Sequence, residues 1–238
     1  CKNIFLLCDH KLEKIFKSSF HDVNIISRND FDERKPGDFF DLHIALASLG
    51  KYLRKRKKDF LSSQTPYLIH NSIITKKIEK KLKTNDSLLC GISWKSNNKA
   101  IGIDNSINLD SLKDIINFKN IKFVNLQYGN IEKDLDSFNN KNQKKIFQAE
   151  SVDVTNDIES LCSLIKNCNF VLTTSNTTAH LSGALNIPTI VMVPRGKGKF
   201  HYWTANKQST LWYPSVKIFR QSEDFTWNST IKEVKKYI

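Results

Sequence analysis

The stretch Phe170–Pro194 reads FVLTTSNTTAHLSGALNIPTIVMVP and decides the fold of this 238-residue chain. It begins with an apolar run of strand length, Phe170–Thr174, passes through a polar turn, and continues as a predicted helix over Thr177–Leu185. A second apolar strand, Thr189–Val193, follows the turn at Asn186–Pro188. A buried strand that leads into a helix and then into another buried strand is typical of a parallel α/β sheet.

The polar turn between the first of these strands and the helix predicts a site for an anion. The N-terminus of a helix carries unpaired N–H groups and the positive end of the helix dipole. His180 lies on the first helical turn, from which it can face the same ligand. The candidate ligand residues on this turn are Ser175, Asn176, Thr177, Thr178 and His180. The alternative is ordinary capping of the helix by Ser, Asn and Thr, with His180 as a packed helix residue.

The same succession of strands and helices continues on both sides of this stretch. Further strands are predicted at Leu88–Trp94, Ile121–Leu126, Val152–Val154 and Val216–Phe219, with helical spacing between most of them. Strands that are apolar throughout, rather than alternating, indicate burial on both faces. The predicted fold class is therefore α/β, with a Rossmann-like, doubly wound parallel sheet in a C-terminal domain over residues 85–238.

Residues 1–84 predict a second, partial α/β domain. Asn3–Cys8 and Val23–Ser27 have the composition of short strands, and the residues between them have helical spacing. Thr84–Asp86 is the predicted linker to the C-terminal domain. Because the chain opens directly on a strand without an initiator Met, we expect this domain to be truncated at its start.

Phe170–Pro194 resembles the donor-site segment of heptosyltransferase-like (family 9-like) glycosyltransferases. It is more closely similar to glycosyltransferase modules that follow tetratricopeptide repeats in bacterial proteins related to O-GlcNAc transferases. The positions that match the pattern are His180, Leu181, Ala184, Leu185 and Pro188. Further matches, in the same order as in the family, are Phe40–His43, Gly91–Lys95, Phe123–Gly129, Trp212–Ser215 and Phe219–Gln221. The resemblance implies a GT-B fold that binds a nucleotide-diphosphate sugar on its C-terminal domain.

The resemblance also implies transfer of the sugar to a hydroxyl of a glycan, lipid or protein acceptor, with inversion and without a metal or cofactor. Lys95 or Lys99 is then expected to neutralise the leaving phosphate, and Gln127, Tyr128 and Glu132 to contact the ribose or base. These residues follow predicted strand ends, where open α/β sheets bind ligands. The alternatives are solvated lysines and a polar loop with a packed tyrosine.

Transfer also requires a base for the acceptor proton. His43 is the first candidate, with Asp41 beside it, because an imidazole transfers protons near neutral pH; packing in the surrounding apolar run is the alternative. Asp9 and His10, after the first strand, are the second candidates. In the family an earlier loop with an acidic residue faces the acceptor, and we expect that loop to precede Cys1.

Ser175 departs from the family pattern, in which an aspartate ends this strand. The loss of the carboxylate favours a second interpretation, a catalytically inactive nucleotide-sugar-binding or scaffold module. Asp134 and Asp136 have the spacing of an Asp-x-Asp metal site but fall in a predicted helix, so we expect no metal. A basic glycine loop, Arg195–Lys199, precedes several aromatic residues, which either stack on the donor or anchor a surface loop.

The formal net charge of +13 and a pI near 9.5 indicate an anionic partner or a basic surface. The basic residues concentrate in Lys51–Lys58 (KYLRKRKK) and Lys76–Lys83 (KKIEKKLK). Three interpretations are a solvated helical surface, peripheral contact with an anionic membrane, and nucleic-acid binding. No RRM, KH, zinc-finger or helix-turn-helix signature is present, so we expect no nucleic-acid partner. The five cysteines are odd in number and none forms a CxxC pair, which indicates a reduced, cytoplasmic location, either free or at the inner face of the membrane.

Overall fold

The computed structural model describes residues 3–31, 40–61, 66–82, 87–98, 100, 102–196, 200–203 and 208–238. The strands of this part are β1 (Phe5–Cys8), β2 (Asn24–Ser27), β3 (Leu88–Ser93), β4 (Ile121–Asn125), β5 (Ile146–Phe147), β6 (Phe170–Thr174), β7 (Thr189–Val193) and β8 (Val216–Arg220). Its α-helices are α1 (His10–Ser19), α2 (Leu49–Leu53), α3 (Lys58–Leu61), α4 (Ser72–Leu82), α5 (Lys113–Ile116), α6 (Glu132–Lys141), α7 (Ile158–Lys166), α8 (Thr177–Ala184) and α9 (Asn228–Tyr237). Among the described residues, no helix is both long and apolar enough to cross a lipid bilayer.

Six strands form one parallel sheet in the order β5-β4-β3-β6-β7-β8. The chain starts this sheet at its centre with β3, builds outward through β4 and β5, and then returns to the other side of β3 with β6. This is the order of a doubly wound, Rossmann-like sheet, so the predicted fold class is confirmed. The direction of winding reverses between β3 and β6, and sheets of this type bind ligands at the carboxyl ends of the strands beside that point.

Helices cover both faces of this sheet because its strands are apolar on both sides. On one face, Leu161 of α7 and Ala179 of α8 are buried in a cluster with Val171 and Val191 of the sheet. On the other face, buried residues of α5, α6 and α9 cluster with Ile92 of β3. The burial of both faces explains why the strand sequences show little alternation of apolar and polar residues.

The N-terminal part contains a second, two-stranded parallel sheet formed by β1 and β2, which α1 connects. Ile15 of α1 and Ile78 of α4 are buried in the same cluster as one face of the larger sheet, and both helices contact α7. Because a two-stranded sheet alone is marginally stable, these contacts with α7 stabilise the N-terminal part. The predicted linker and boundary at residues 84–85 lie outside the described residues, and the division into two domains stays a prediction.

One predicted strand is absent from the structure. Val152–Val154 is not a strand but leads into a turn over residues 154–156, in which one oxygen of Asp153 accepts hydrogen bonds from the backbone N–H groups of Thr155 and Asn156. The two-residue strand β5 takes the edge position of the sheet instead. The basic run Lys51–Lys58 is helical only at its two ends, so its cations lie mostly between two short helices.

Helix α8 ends in a left-handed turn, and a glycine in its last turn packs closely against a tyrosine ring. Asn186 adopts a left-handed φ of 56°, and the N–H groups of Asn186 and Ile187 donate to the carbonyls of Gly183 and Ser182. This pattern is a Schellman-type helix end, which confirms the predicted turn. A Cβ atom at Gly183 would lie 2.5 Å from the ring of Tyr213, so the glycine permits a contact that a larger residue would prevent.

Candidate functional site

Asn176 caps the helix that follows β6. Its Oδ1 accepts hydrogen bonds from the backbone N–H groups of Thr178 at 3.0 Å and Ala179 at 3.4 Å, and from the hydroxyl of Thr173 at 3.0 Å. Two of the amides that the sequence analysis assigned to an anion are therefore bonded within the chain. The prediction that these two N–H groups are free to bind an anion is therefore wrong. For Asn176, which is buried, the alternative of ordinary helix capping is correct.

The side-chain nitrogen of Asn176 connects this turn to the neighbouring strand β3. Its Nδ2 donates to the hydroxyl of Ser93 at 2.7 Å and to the carbonyl of Lys95 at 3.2 Å. The Ser93 hydroxyl in turn donates to Oε1 of Gln127 at 2.9 Å. Hydrogen bonds thus join the carboxyl ends of β3, β4 and β6 at the point where the winding of the sheet reverses.

Gln127 is fully buried and supports the loop that follows β3. Its Oε1 accepts from the backbone N–H groups of Trp94 at 2.9 Å and Lys95 at 2.8 Å, and its Nε2 donates to the carbonyl of Tyr128 at 3.0 Å. The side chain that the sequence analysis assigned to the ribose or base is therefore occupied by bonds within the protein. Gln127 thus holds the backbone of Tyr128 and of the β3 loop in place.

A cavity of about 210 Å³ lies between the start of α1 and the carboxyl ends of β4 and β6, and we call it the cleft cavity. The residues that line it are Asp9, Lys11, Leu12, Tyr128, Val154, Thr155, Ile158, Leu161, Thr177 and Thr178. Three predicted donor-binding residues, Tyr128, Thr177 and Thr178, are thus brought together. The N-terminal part contributes Asp9 and Lys11, so both parts of the chain form this one cavity.

Thr178 is one of the residues that line the cleft cavity, and the oxygen of its hydroxyl is buried. Within the described part of the chain this Oγ1 has no hydrogen-bond partner. A buried hydroxyl without a partner costs about 1–3 kcal/mol, which a ligand with an acceptor atom can recover. Thr177, the first residue of α8, is exposed beside it. These adjacent threonines are therefore the residues of the turn best placed to bind a ligand.

Two residues that sequence reasoning missed, Lys11 and Thr155, close one side of the cleft cavity. Nζ of Lys11 donates to the carbonyl of Thr155 at 3.2 Å, and the hydroxyl of Thr155 accepts from the N–H of Gly129 at 3.1 Å. Gly129 has a left-handed φ of 87°, which a glycine adopts without strain. For Lys11 the available sequence signal was its position, because it follows the predicted strand Asn3–Cys8 by three residues.

Ser175 and His180 belong to an aromatic cluster rather than to the lining of the cleft cavity. The hydroxyl of Ser175 accepts a hydrogen bond of 2.8 Å from Nε1 of the buried Trp203. The ring of His180 stacks on Trp203 at 5.1 Å between centroids, and its Nδ1 lies 3.0 Å from the hydroxyl of Tyr213. Burial, with the charge of His201 as a smaller cause, lowers the pKa of His180 to about 4. His180 is therefore neutral near pH 7.

The basic glycine loop is described at its first two residues, while residues 197–199 lie outside the described part. Nε of Arg195 donates to the carbonyl of Gln221 at 2.7 Å, and its Nη2 lies 3.5 Å from the carboxylate of Glu223. Of the aromatic residues that follow, Trp203 is fully buried. The alternative of a loop anchored by a buried tryptophan is therefore the correct one for Trp203.

Lys95 and Glu132 lie apart from the cleft cavity. Nζ of Lys95 forms an ion pair of 2.7 Å with Asp134, and Lys95 lines a separate cavity of about 480 Å³ between the β3 loop and α6. Glu132 is exposed at the first position of α6, where its carboxylate accepts from the N–H of Ile131 at 3.1 Å. The remaining lysine candidate, Lys99, lies outside the described residues.

The structure places the two sets of candidate bases in different surroundings. His43 and Asp41 are exposed on the segment before α2 and are among the lining residues of neither cavity. Asp9 lines the cleft cavity, where one carboxylate oxygen accepts from the N–H of Lys11 at 3.0 Å and lies 3.3 Å from Nδ1 of His10. The second candidate of the sequence analysis is thus the carboxylate that shares a cavity with the predicted donor residues.

The chain matches no protein-family model. Over 120 residues, 50% of its length, it is 27% identical to Protein FlbA of Caulobacter vibrioides, of which it covers 20%. Its structure is similar to the glycosyl transferase family 9 protein from Veillonella parvula DSM 2008, with a TM-score of 0.58, 9% identity, and coverage of 99% of this chain and 83% of that one. For the E. coli ADP-heptose LPS heptosyltransferase II the TM-score is 0.59 with 11% identity, covering 98% of this chain and 87% of that one. These similarities confirm the predicted GT-B type of α/β fold.

Proposed function

We propose that the chain binds a nucleotide-diphosphate sugar in the cleft cavity and transfers the sugar to a hydroxyl of a glycan, lipid or protein acceptor. The observation that carries the proposal is the lining of this cavity, which combines Thr177 and Thr178 at the start of α8 with Asp9 at the start of α1. It lies at the carboxyl ends of β4 and β6, beside the reversal of the sheet. Two structurally similar proteins are glycosyltransferases, and this similarity favours the same class of reaction.

In this proposal the diphosphate lies against the two threonines. The buried hydroxyl of Thr178 donates to a phosphate oxygen, and the exposed hydroxyl of Thr177 adds a second donor. Lys11 supplies positive charge to the departing diphosphate, so the transfer needs no metal. We assign stabilisation of the leaving diphosphate to Lys11 rather than to Lys95, because Lys95 already forms an ion pair with Asp134.

Asp9 is the proposed general base. Its carboxylate accepts the proton of the acceptor hydroxyl while that oxygen attacks C1 of the sugar. The bond between C1 and the diphosphate oxygen breaks, and the diphosphate leaves with the electron pair. Attack from the side opposite the leaving group inverts the configuration at C1.

The size of the cleft cavity limits which part of the donor it receives. Its volume of about 210 Å³ is below the roughly 300 Å³ of the smaller ligand pockets, so a complete nucleotide sugar extends beyond it. We propose that the cavity receives the diphosphate and the ribose beside Tyr128, Val154 and Ile158. The sugar then lies toward Asp9, at the side formed by α1.

A catalytically inactive nucleotide-sugar-binding module is the second candidate, and Ser175 favours it. The position at which the resembled family carries an aspartate holds a serine whose hydroxyl is bonded to the indole of Trp203. A carboxylate is therefore missing beside the proposed diphosphate position. Both candidates share the donor site and differ in whether a sugar is transferred.

Asp9→Asn separates the two candidates. Donor turnover is followed with UDP-, GDP- and ADP-sugars, and nucleotide affinity by calorimetry. Transferase activity predicts that Asp9→Asn lowers turnover by about 100-fold or more with nucleotide affinity unchanged, whereas the control His43→Asn retains the wild-type rate. Nucleotide binding without product from any donor supports the inactive module. If none of UDP, GDP and ADP binds, both candidates are rejected.

A further inference from the structure

Large apolar side chains are exposed on the segment that leads into α2 and on α2 itself. The exposed fractions are Leu42 88%, Ile44 47%, Leu46 65%, Tyr52 58% and Leu53 58%. Single exposed apolar residues are common, but a run of five within twelve residues is an apolar patch of the kind that marks an interaction surface. We call residues 42–58 the basic-apolar segment.

The same segment carries a dense positive charge. Its cationic residues are Lys51, Arg54, Lys55, Arg56, Lys57 and Lys58. The one carboxylate that follows directly is Asp59, whose Oδ1 lies 3.5 Å from the guanidinium of Arg56. Apart from the partly buried Arg54, these cations are exposed. Exposed apolar side chains and exposed cationic side chains therefore lie within the same stretch of seventeen residues, with most of the cations after the apolar side chains.

A series of ring contacts connects the basic-apolar segment to α8. Phe60, two residues after the segment, packs edge-on against Trp212 at 5.1 Å between centroids. Trp212 contacts Tyr202 at 6.4 Å, and Tyr202 contacts His180 of α8 at 4.9 Å. A partner bound to the segment is therefore held close to the helix whose first residues line the cleft cavity.

We propose that the basic-apolar segment binds the surface of a lipid bilayer that contains anionic headgroups. Cationic side chains attract anionic lipids, each increasing binding about fivefold, while neighbouring aliphatic side chains enter the boundary between headgroups and acyl chains. Nucleic acid fits the charge but not the exposed Leu42 and Leu46, because unstacked bases pack on aromatic rings rather than on leucines. The proposal does not depend on nucleotide-sugar binding, although an acceptor in the membrane would then lie near the donor site.

The second basic run provides a charge-matched control. Lys76, Lys77, Lys80 and Lys81 are exposed on α4, whose buried Ile78 packs in the cluster shared with α7. Replacing these four lysines by glutamine removes the same charge as replacing Lys51, Lys55, Lys57 and Lys58. If only the net charge of the protein attracts the anionic bilayer, the two variants should lose the same amount of binding. If the segment itself contacts the bilayer, the variant in the segment should lose more.

The test is co-sedimentation with vesicles of phosphatidylcholine, with and without phosphatidylglycerol. We expect binding to the anionic vesicles, a loss of more than about tenfold for the segment variant, and a much smaller loss for the α4 variant. Leu42→Ser/Leu46→Ser should weaken the binding that remains in high salt, where electrostatic attraction is screened. Thermal unfolding confirms that each variant is folded.

Three results would overturn the proposal. The first is equal binding of the two charge variants, which would make the attraction non-specific. The second is salt-sensitive binding to a single-stranded RNA with no binding to anionic vesicles, which would assign the segment to nucleic acid. The third is a dimer that dissociates in Leu42→Ser/Leu46→Ser without any vesicle binding, which would assign the patch to a second copy of the chain.

Discussion

The indole nitrogen of Trp203 donates a hydrogen bond of 2.8 Å to the hydroxyl of Ser175, and both side chains are buried. This bond joins the end of β6 to the segment that covers His180. Ser175 therefore has a structural role, at the position where the family that this chain resembles carries an aspartate.

Ser175→Ala should lower the free energy of unfolding by about 1–3 kcal/mol, because it leaves the buried indole N–H without its acceptor. Urea unfolding measures the change. The matched control is Ser137→Ala on the exposed side of α6, where alanine is the better helix former and stability should stay the same or rise slightly. Equal stability of Ser175→Ala and the wild type would show that the bond contributes nothing.

Gly129→Ala should destabilise the protein by more than about 1 kcal/mol. Gly129 has a φ of 87°, and an added Cβ atom would lie 2.1 Å from Nδ2 of Asn97. Gly50→Ala is the control, because Gly50 lies in α2 and nothing is within 4 Å of an added Cβ there. In a helix the change should stabilise by about 0.5–1 kcal/mol. If Gly129→Ala and Gly50→Ala shift the unfolding curve in the same direction, this description of the turn after β4 is contradicted.

Thr178→Val should leave the stability of the free protein unchanged or raise it by up to about 2 kcal/mol. The substitution replaces a buried hydroxyl that has no partner among the described residues with a methyl group of similar size. Thr173→Val provides the contrast, because the Thr173 hydroxyl donates to Asn176 at 3.0 Å. Loss of this hydrogen bond should lower the free energy of unfolding by about 1 kcal/mol. A strong destabilisation by Thr178→Val would indicate that the hydroxyl is already bonded in the free protein.

The stability of the protein should fall as the pH falls from about 6.5 toward 4, and we expect His180 to be the main cause. In the unfolded chain this histidine takes up a proton near its ordinary pKa of 6.5, whereas burial lowers the pKa to about 4 in the folded protein. The unfolded state therefore binds more protons than the folded state in this range. As a result, the free energy of unfolding falls by about 2 kcal/mol between pH 7 and pH 5. Denaturant unfolding at both pH values measures this.

His180→Gln should reduce that dependence on pH, whereas His21→Gln, at an exposed histidine, should leave it unchanged. His180→Gln also changes packing, so the informative quantity is the difference in stability between pH 7 and pH 5 rather than the stability at one pH. An undiminished difference in His180→Gln would assign the effect to another group.

The doubly wound sheet could be predicted from the sequence because its strands are marked locally. Runs such as Leu88–Trp94 and Thr189–Val193 are apolar, of strand length and separated by helical patterns. The prediction was wrong at Val152–Val154, where two valines flank an aspartate. Asp153 accepts hydrogen bonds from the backbone N–H groups of Thr155 and Asn156 just after this run, and a turn of this kind is hard to recognise in a short apolar run.

The candidate site could be predicted only in part, because its chemistry depends on which distant side chains meet. The turn at Thr177 and Thr178 was recognisable as the start of a helix after a buried strand. Asn176 and Gln127 have the same polar character, but they bond within the protein across three strands. The contribution of Asp9 arises from the packing of α1 near the large sheet, which no local pattern specifies.

The most direct test of the central claim is a calorimetric titration of UDP, GDP and ADP into the wild type and Thr178→Val. We predict that at least one of these nucleotides binds the wild type, and that Thr178→Val weakens this binding by about tenfold or more, because a hydrogen bond to a charged phosphate is lost. Absence of binding by all three nucleotides, or equal affinity for the two proteins, would contradict a diphosphate site in the cleft cavity.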